Sequence, residues 1–331
     1  MVKISDIAKL AQVSPATVSR VLNGTAKVSQ EKKKKVLSAI NETGFRPNEI
    51  ARSLYKKSSR IIGYVVPSIM NIFLNEIGCA IEAEAFRNGY KVILCNTDKS
   101  PEKELQYIEM LISMNADGII IMSNNDMIEE EIDKCSIPIV VLDQKTDIHY
   151  AAAVVQSDNH KGGFMAAEHL VKCGCRHIIQ MRGPQKYLSG VQRFEGYLDA
   201  CKKYHMEPRY VDAGYDFESG IGCAKKILKQ FPNADGILAS SDMTALSLYK
   251  VLCEEKKRVP DEIMIVGYDG LSLSKLMTPE LTTVAQPMGR IGKLAAEIII
   301  DMVNGKKNVK TYNILPVSLR IRQTTKSAIN R

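Results

Sequence analysis

The decamer Ser14-Pro-Ala-Thr-Val-Ser-Arg-Val-Leu-Asn23 constrains this chain more than any other stretch. Ser14 suits a helix N-cap, where its hydroxyl accepts from an unpaired backbone N–H, and Pro15 suits the first helical position, where its missing N–H costs nothing. Val18, Val21 and Leu22 then fall on one face at i, i+3, i+4 spacing, while Ala16, Ser19, Arg20 and Asn23 fall on the other. Small residues and one arginine let that second face enter a DNA major groove, with Arg20 in reach of a guanine edge; an ordinary amphipathic helix has the same pattern. The flanking sequence decides between them. Ile4, Ile7, Ala8 and Ala11 predict a short helix upstream, and Gln12-Val13 a tight turn. Downstream, Ser29 suits the cap of a third helix with Val36, Leu37 and Ile40 facing inward and Gly44 at its stop. Three short helices sharing a small core make a helix-turn-helix head.

Charge divides at the same place. Residues 1–60 hold 13 Lys and Arg against 4 Asp and Glu, a net of +9, and the remaining residues carry a net of −1. A basic head on a neutral body implies an anionic partner for the head alone. Lys32 to Lys35 suit a solvated helix face. Eight cysteines are scattered without a framework, several in apolar runs such as Val92-Ile-Leu-Cys95, which implies reduced, cytosolic thiols. A helical pattern begins at once, with no signal peptide, and no apolar run approaches the ~20 residues of a membrane span. The expected location is the cytoplasm.

Pro47-Asn-Glu-Ile-Ala-Arg-Ser-Leu54 has room for about two helical turns, too few to be stable alone in water. From Ile61 the pattern changes to strands alternating with helices. Strands are expected at Ile61–Val66, Val92–Cys95, Gly118–Met122, Ile137–Leu142, His177–Met181, Tyr210–Ala213, Gly236–Ala239 and Ile263–Tyr268, with helices between most of them. Continuous apolar strands joined by helices predict an α/β body of parallel sheets covered on both faces, in two lobes. The domains read as a head over 1–46, a connector over 47–60 and a body over 61–331. The body divides into a first lobe, 61–158 plus 288–331, and a second lobe, 159–287, with Val317–Arg322 returning to the first.

In such sheets ligands bind beyond the carboxyl ends of the strands. Those positions hold Asn71 and Phe73, Asp143 and Gln144, Ser241 and Asp242, Asp269, and Gln286, with Arg193 in a nearby helix. Carboxylates, amides, a guanidinium and a ring suit a sugar, whose hydroxyls donate and accept and whose C–H face stacks on rings. Each residue also suits an ion pair or a turn, so the weight lies on their joint occurrence. His169, Cys173, Cys175 and His177 invite a zinc site, but they span a helix and a strand, and neither metal nor cofactor is expected. No Gly-x-Gly-x-x-Gly turn, P-loop or nucleophile triad supports an enzyme.

The words Ile4-Ser-Asp-Ile-Ala8, Val13-Ser-Pro-Ala-Thr-Val-Ser-Arg-Val-Leu-Asn-Gly24, Val28-Ser29 and Gly44-Phe-Arg-Pro-Asn48 resemble the heads of the lactose-repressor/galactose-repressor (LacI/GalR) family of bacterial regulators. That resemblance implies a homodimer on a near-palindromic double-stranded operator. Pro15, Ala16 and Arg20 would read bases, with Ser14, Thr17, Ser19 and Asn23 on the same surface. Leu54 stands at the family's intercalating leucine, with Ala51 on the same hinge helix. The body resembles periplasmic sugar-binding proteins. In the ribose-binding branch Asn71, Phe73, Asp143, Arg193, Asp269 and Gln286 fall on sugar-contacting positions. Gln144 stands where ribose binders usually carry arginine, Ser241 where many members carry asparagine, and Leu74 replaces a second aromatic. The implied function is a repressor of sugar-metabolism genes controlled by a small sugar, a pentose such as ribose. Met288-Gly-Arg-Ile-Gly292 and Asn71-Ile-Phe73 also resemble the catabolite-control branch, whose body docks a phosphorylated carrier protein. A sugar-binding module with no DNA role is the third reading.

Overall fold

The computed structural model describes residues 2–23, 28–45, 58–123, 135–143, 153–306 and 308–327. The connector helix expected over Pro47–Leu54, with Ala51 and Leu54, lies outside them, as do Gln144 and the side chain of Asn23. The chain forms two compact units, Met1–Ser59 and Arg60–Arg331.

In the first unit, α1 (Ile4–Leu10), α2 (Pro15–Asn23) and α3 (Gln30–Thr43) enclose Ile7, Ala8, Ala11, Val18, Val36 and Ala39, with Val21, Leu22 and Ile40 half-buried at the rim. Each large apolar side chain sealed there contributes about 1.5–3 kcal/mol toward holding the three helices together. Gln12 adopts a left-handed φ of 52° in the turn between α1 and α2, and Gly44 ends α3 at φ 63°. Ser14 Oγ accepts from Thr17 N at 3.2 Å, the expected cap. Three expectations fail locally. Ile4 and Leu37 are 40% and 46% exposed, because Ile4 precedes the packed turn of α1 and Ala39, not Leu37, continues the stripe begun by Val36. Ser29 occupies the N-cap of α3 without a side-chain cap bond.

The body holds two sheets. The first, ordered β2-β1-β3-β4-β5-β11, contains β1 (Ile61–Val66), β2 (Lys91–Asn96), β3 (Gly118–Ile121), β4 (Ile139–Leu142), β5 (Ala153–Ser157) and β11 (Tyr312–Leu315), all parallel. The second, ordered β7-β6-β8-β9-β10-β12, contains β6 (Ile178–Arg182), β7 (Tyr210–Asp212), β8 (Gly236–Leu238), β9 (Met264–Asp269), β10 (Thr282–Ala285) and β12 (Ser318–Arg320), parallel except for β12. Helices α4 (Ile72–Arg87), α5 (Pro101–Ser113) and α10 (Met288–Val303) cover the first sheet, and α6 (Asn159–Lys172), α7 (Leu188–Lys203), α8 (Phe217–Gln230) and α9 (Asp242–Glu254) the second. Among the described residues no helix is long and apolar enough to cross a membrane.

The eight expected strands are present; β5, β10 and β11 were not expected, because none is a continuous apolar run. The Thr-Thr-Val-Ala sequence of β10 is nonetheless buried, with Thr283 Oγ1 donating to Asp242 Oδ1 at 2.6 Å and Thr282 N to Thr324 Oγ1 at 2.8 Å. The end of the chain corrects the sequence reading. Tyr312–Leu315 returns to the first lobe beside β5, but the stretch Val317–Arg322, assigned there from sequence, crosses back: β12 pairs antiparallel with β10, matching Ala285 to Ser318 and Thr283 to Arg320. Thr324 Oγ1 then donates to Ile265 O, and Leu319 packs on the second lobe's apolar cluster, which is where that side chain loses its water.

The lobes are therefore joined at three places: between β5 and α6, between β10 and α10, and between β11 and β12. Asp158 N donates to Leu315 O at 2.9 Å, tying two of these crossovers side by side. Within the second lobe α6 and α7 approach backbone to backbone. A Cβ on Gly163 would overlap the carbonyl of Arg193, and one on Gly196 the carbonyl of His160. This crossing fixes where the Arg193 side chain emerges.

Candidate functional site

On the head, Pro15, Ala16 and Arg20 are exposed along α2, and Thr17 and Ser19 are half-buried. The hydroxyls of Ser14 and Thr17 lie 3.0 Å apart at the helix start, so both hold the cap in shape. Arg20 lies on the outer face, the one opposite the buried Val18.

In the body a cavity of about 580 Å³ opens between the carboxyl ends of the two sheets. Asn71, Phe73, Asp143, Arg193 and Asp269 all line it, from four separate chain segments, as the sequence expects. Asn71 caps α4 by accepting from Phe73 N at 3.0 Å, which places Phe73 at the first turn of that helix. Asp143 and Asp269 end β4 and β9 with φ of 51° and 111°, a backbone strain of the kind that persists where surrounding structure enforces it.

Arg193 organises the floor. Its Nε donates to Asn159 Oδ1 at 2.9 Å and its Nη1 to Ser240 O at 2.8 Å, while Nη2 lies 3.7 Å from Asp269 Oδ1. The guanidinium also lies 3.7 Å from the Tyr268 ring centre and 5.4 Å from that of Tyr215. Burial opposes its charge, but the phenol groups of Tyr215 and Tyr268 and the carboxylates of Asp269 and Asp143 outweigh that and raise its pKa. Burial likewise raises Asp143, against the pull of Arg193, Asn159 and Ser189. Asp269 is pushed up to about 6 by burial, moderated by Arg193 and by the amide of Gln286. A fixed cation beside Asp269, and in electrostatic reach of Asp143, offers both donors and acceptors to a ligand, as vicinal hydroxyls require.

Two expected residues stand behind the cavity. Gln286 is buried and donates from Nε2 to Asp269 Oδ1 at 2.8 Å. Ser241 caps α9, accepting from Thr244 N, and donates to Tyr215 O at 2.9 Å. Both hold cavity residues in place. The sequence reading missed Tyr187, Ser189, Tyr215 and Met243 in the lining, and Asn159 beneath it. For Tyr215 a signal existed: Gly214-Tyr-Asp216 repeats the tripeptide Gly267-Tyr-Asp269 at the end of another strand.

The His and Cys cluster is spent on packing. His169 Nε2 lies 2.9 Å from Thr325 Oγ1, Cys173 Sγ donates to Lys326 O, Cys175 Sγ to Asp235 O, and His177 Nδ1 faces Arg209. Burial pushes the Cys175 thiol up to about 12 and lowers His169.

Comparison with known proteins agrees with both units. Residues 3–48 match the family model described as bacterial regulatory proteins, lacI family, and residues 167–325 a periplasmic binding protein-like domain. The ribose operon repressor of Halalkalibacterium halodurans is 38% identical over 331 residues, 100% of this chain and 99% of that one. The lac repressor dimer bound to operator and the anti-inducer ONPF superposes with a TM-score of 0.89 at 27% identity, over 98% of this chain and 99% of that one. A periplasmic binding protein/LacI transcriptional regulator from Alkaliphilus metalliredigens, complexed with D-xylulofuranose, gives a TM-score of 0.75 at 32% identity, over 81% and 100%. A helix-turn-helix head, a two-lobed body and an end-to-end match to a repressor leave one assignment: the chain belongs to the lacI family of bacterial regulatory proteins.

Proposed function

We propose that this DNA-binding regulator is a homodimeric repressor whose operator affinity is set by a small sugar, most simply a pentose, held between the lobes. The observation that carries the reading is Arg193, buried beside Asp269 and lining one cavity with Asp143 and Phe73. A ribose repressor at 38% identity and a xylulofuranose complex at 32% support the five-carbon choice. Asn71, Phe73, Asp143, Arg193 and Asp269 contact the sugar, with Ser241 and Gln286 behind them and Gln144 a further proposed contact. On the head, Pro15, Ala16 and Arg20 read bases from α2, Ser14, Thr17, Ser19 and Asn23 share that surface, and Ala51 and Leu54 enter the minor groove. A two-fold dimer presents two such helices to a near-palindromic site. Closure of the lobes on a ligand changes operator affinity only by the difference in sugar affinity between the two dimer states.

Recovery of genomic fragments by the purified protein, with and without a panel of pentoses and hexoses, tests this. A specific fragment whose retention changes with one sugar is expected, and indifference to all of them would remove the sugar. Replacing Arg20 by alanine should weaken binding to the recovered site by about 1–3 kcal/mol, roughly five- to 150-fold, as measured by fluorescence anisotropy at fixed salt, and relax the preference at one base pair of each half-site.

The carrier-docking reading draws on residues with internal duties. Asn71 and Phe73 line the cavity, and at Gly292 α10 packs directly on the backbone of Ile77 in α4, leaving no space for a Cβ.

Acid should weaken the sugar. Asp269 accepts hydroxyl protons as a carboxylate, so affinity measured by calorimetry is expected to fall as pH drops through about 6. The same group acts oppositely on stability. Its folded pKa lies above the ordinary 3.8, so its contribution improves as pH falls from about 6 toward 3.8 and is lost as pH rises through that window.

A further inference from the structure

We propose that Asn159 is a positioning residue that binds the two lobes' charged groups into one frame, so that a ligand touching the first lobe's Asp143 acts on the second lobe's Arg193. Its amide is fixed in orientation by chemistry. Oδ1 accepts from Arg193 Nε at 2.9 Å, which a guanidinium requires of an oxygen, and Nδ2 donates to Asp143 Oδ1 at 2.8 Å, which a carboxylate requires of an N–H. Tyr268 Oη lies 3.3 Å from the same Oδ1. The amide is buried, and every one of these partners comes from a different element: Asp143 from the end of β4, Arg193 from α7, Tyr268 from β9.

Its place in the chain matters as much as its contacts. Asn159 opens α6 directly after the β5 crossover, next to Asp158, whose N–H is tied to the β11 crossover. A change in the opening of the lobes moves Asp143 relative to Arg193, and this one short side chain spans both. Losing a buried hydrogen bond to a charged group typically costs about ten- to a hundredfold in the equilibrium that it supports.

The charged and titratable groups touching this amide are Asp143, Arg193 and Tyr268, and Asp269 and Tyr215 act on the Arg193 that it holds, with Glu76 of α4 acting on Asp269. That setting gives two variants opposite signatures. In Asn159→Ala the donor to Asp143 disappears and nothing replaces it. In Asn159→Asp the new carboxylate repels Asp143 at neutral pH, but once protonated its O–H donates to Asp143 and its C=O accepts from Arg193, restoring the amide's pattern.

The inference rests on the sugar reading of the cleft, and the test separates the two. Carboxyl titration by NMR with ¹³C-labelled aspartate, on full-length protein without ligand, should show the Asp143 pKa higher in Asn159→Ala than in wild type. Calorimetry with ribose should show affinity about ten- to a hundredfold weaker in Asn159→Ala at pH 7.5, with thermal denaturation confirming a folded body. Burial and the adjacent Asp143 carboxylate hold the new carboxyl well above the ordinary aspartate range, so as pH falls from neutral the ribose affinity of Asn159→Asp should rise while that of wild type falls. An unmoved Asp143 titration, ribose affinity within twofold of wild type in Asn159→Ala, or parallel pH profiles would overturn the frame. Should the titration move as expected while wild type ignores ribose, the frame stands and the pentose reading falls.

Discussion

Arg193→Ala is expected to abolish the response of operator binding to sugar and to lower the stability of the body by about 3–5 kcal/mol, the usual consequence of removing one partner from a buried charged group. Asp143 and Asp269 would keep their burial and lose the cation that favours their charge, Ser240 O would lose its guanidinium donor, and Asn159 Oδ1 would keep only the longer contact from Tyr268 Oη. Both carboxyls would then titrate still higher. Because a carboxyl with a raised folded pKa stabilises less as pH rises, the deficit against wild type in thermal denaturation should be largest near pH 8 and shrink toward pH 5. Arg193→Lys should recover little, since one ammonium cannot reach Asn159, Ser240 and Asp269 with the planar fork that does so here. A variant that kept both its sugar response and its melting temperature would remove the cleft from its assigned role.

The second large effect is at the α6–α7 crossing. Gly196→Val puts a branched side chain where even a Cβ meets the His160 carbonyl and the Phe164 backbone nitrogen, and neither can give way without separating the helices. The expected loss is at or above the ~3 kcal/mol end of overpacking, about 6–12 °C in Tm for a body of this size. Separation would also carry Arg193 away from Asp269, so sugar response should fail even at temperatures where the protein is folded. Gly222→Ala is the contrasting case: that glycine is exposed on α8, nothing lies within 4 Å of its added Cβ, and alanine should stabilise by about 0.5–1 kcal/mol.

Much of this was legible from residue pattern alone, and the omissions have physical reasons. The head was readable because capping, periodicity and charge point the same way over residues 4–45. Asp143 and Asp269 were readable because parallel strands deliver their end residues to a shared rim, and Asn71, Phe73 and Arg193 because the helices that follow the strands start from that rim. Strand β10 was opaque because its threonines look like a loop until Asp242 and Thr324 are seen to satisfy them. Ser241 and Gln286 look like binding residues because hydroxyls and amides near strand ends suit a ligand and a neighbour equally well. Asn159 gave no sign, since its importance comes from three partners 16, 34 and 109 residues away.

The paired crossovers carry one more consequence. Three chain connections join the lobes, and two of them are linked through Asp158 and Leu315, so relative motion of the lobes has to bend the chain at this tied seam. Whatever fills the space between the lobes therefore meets its resistance at that seam, in the few residues on either side of Asp158 and Leu315.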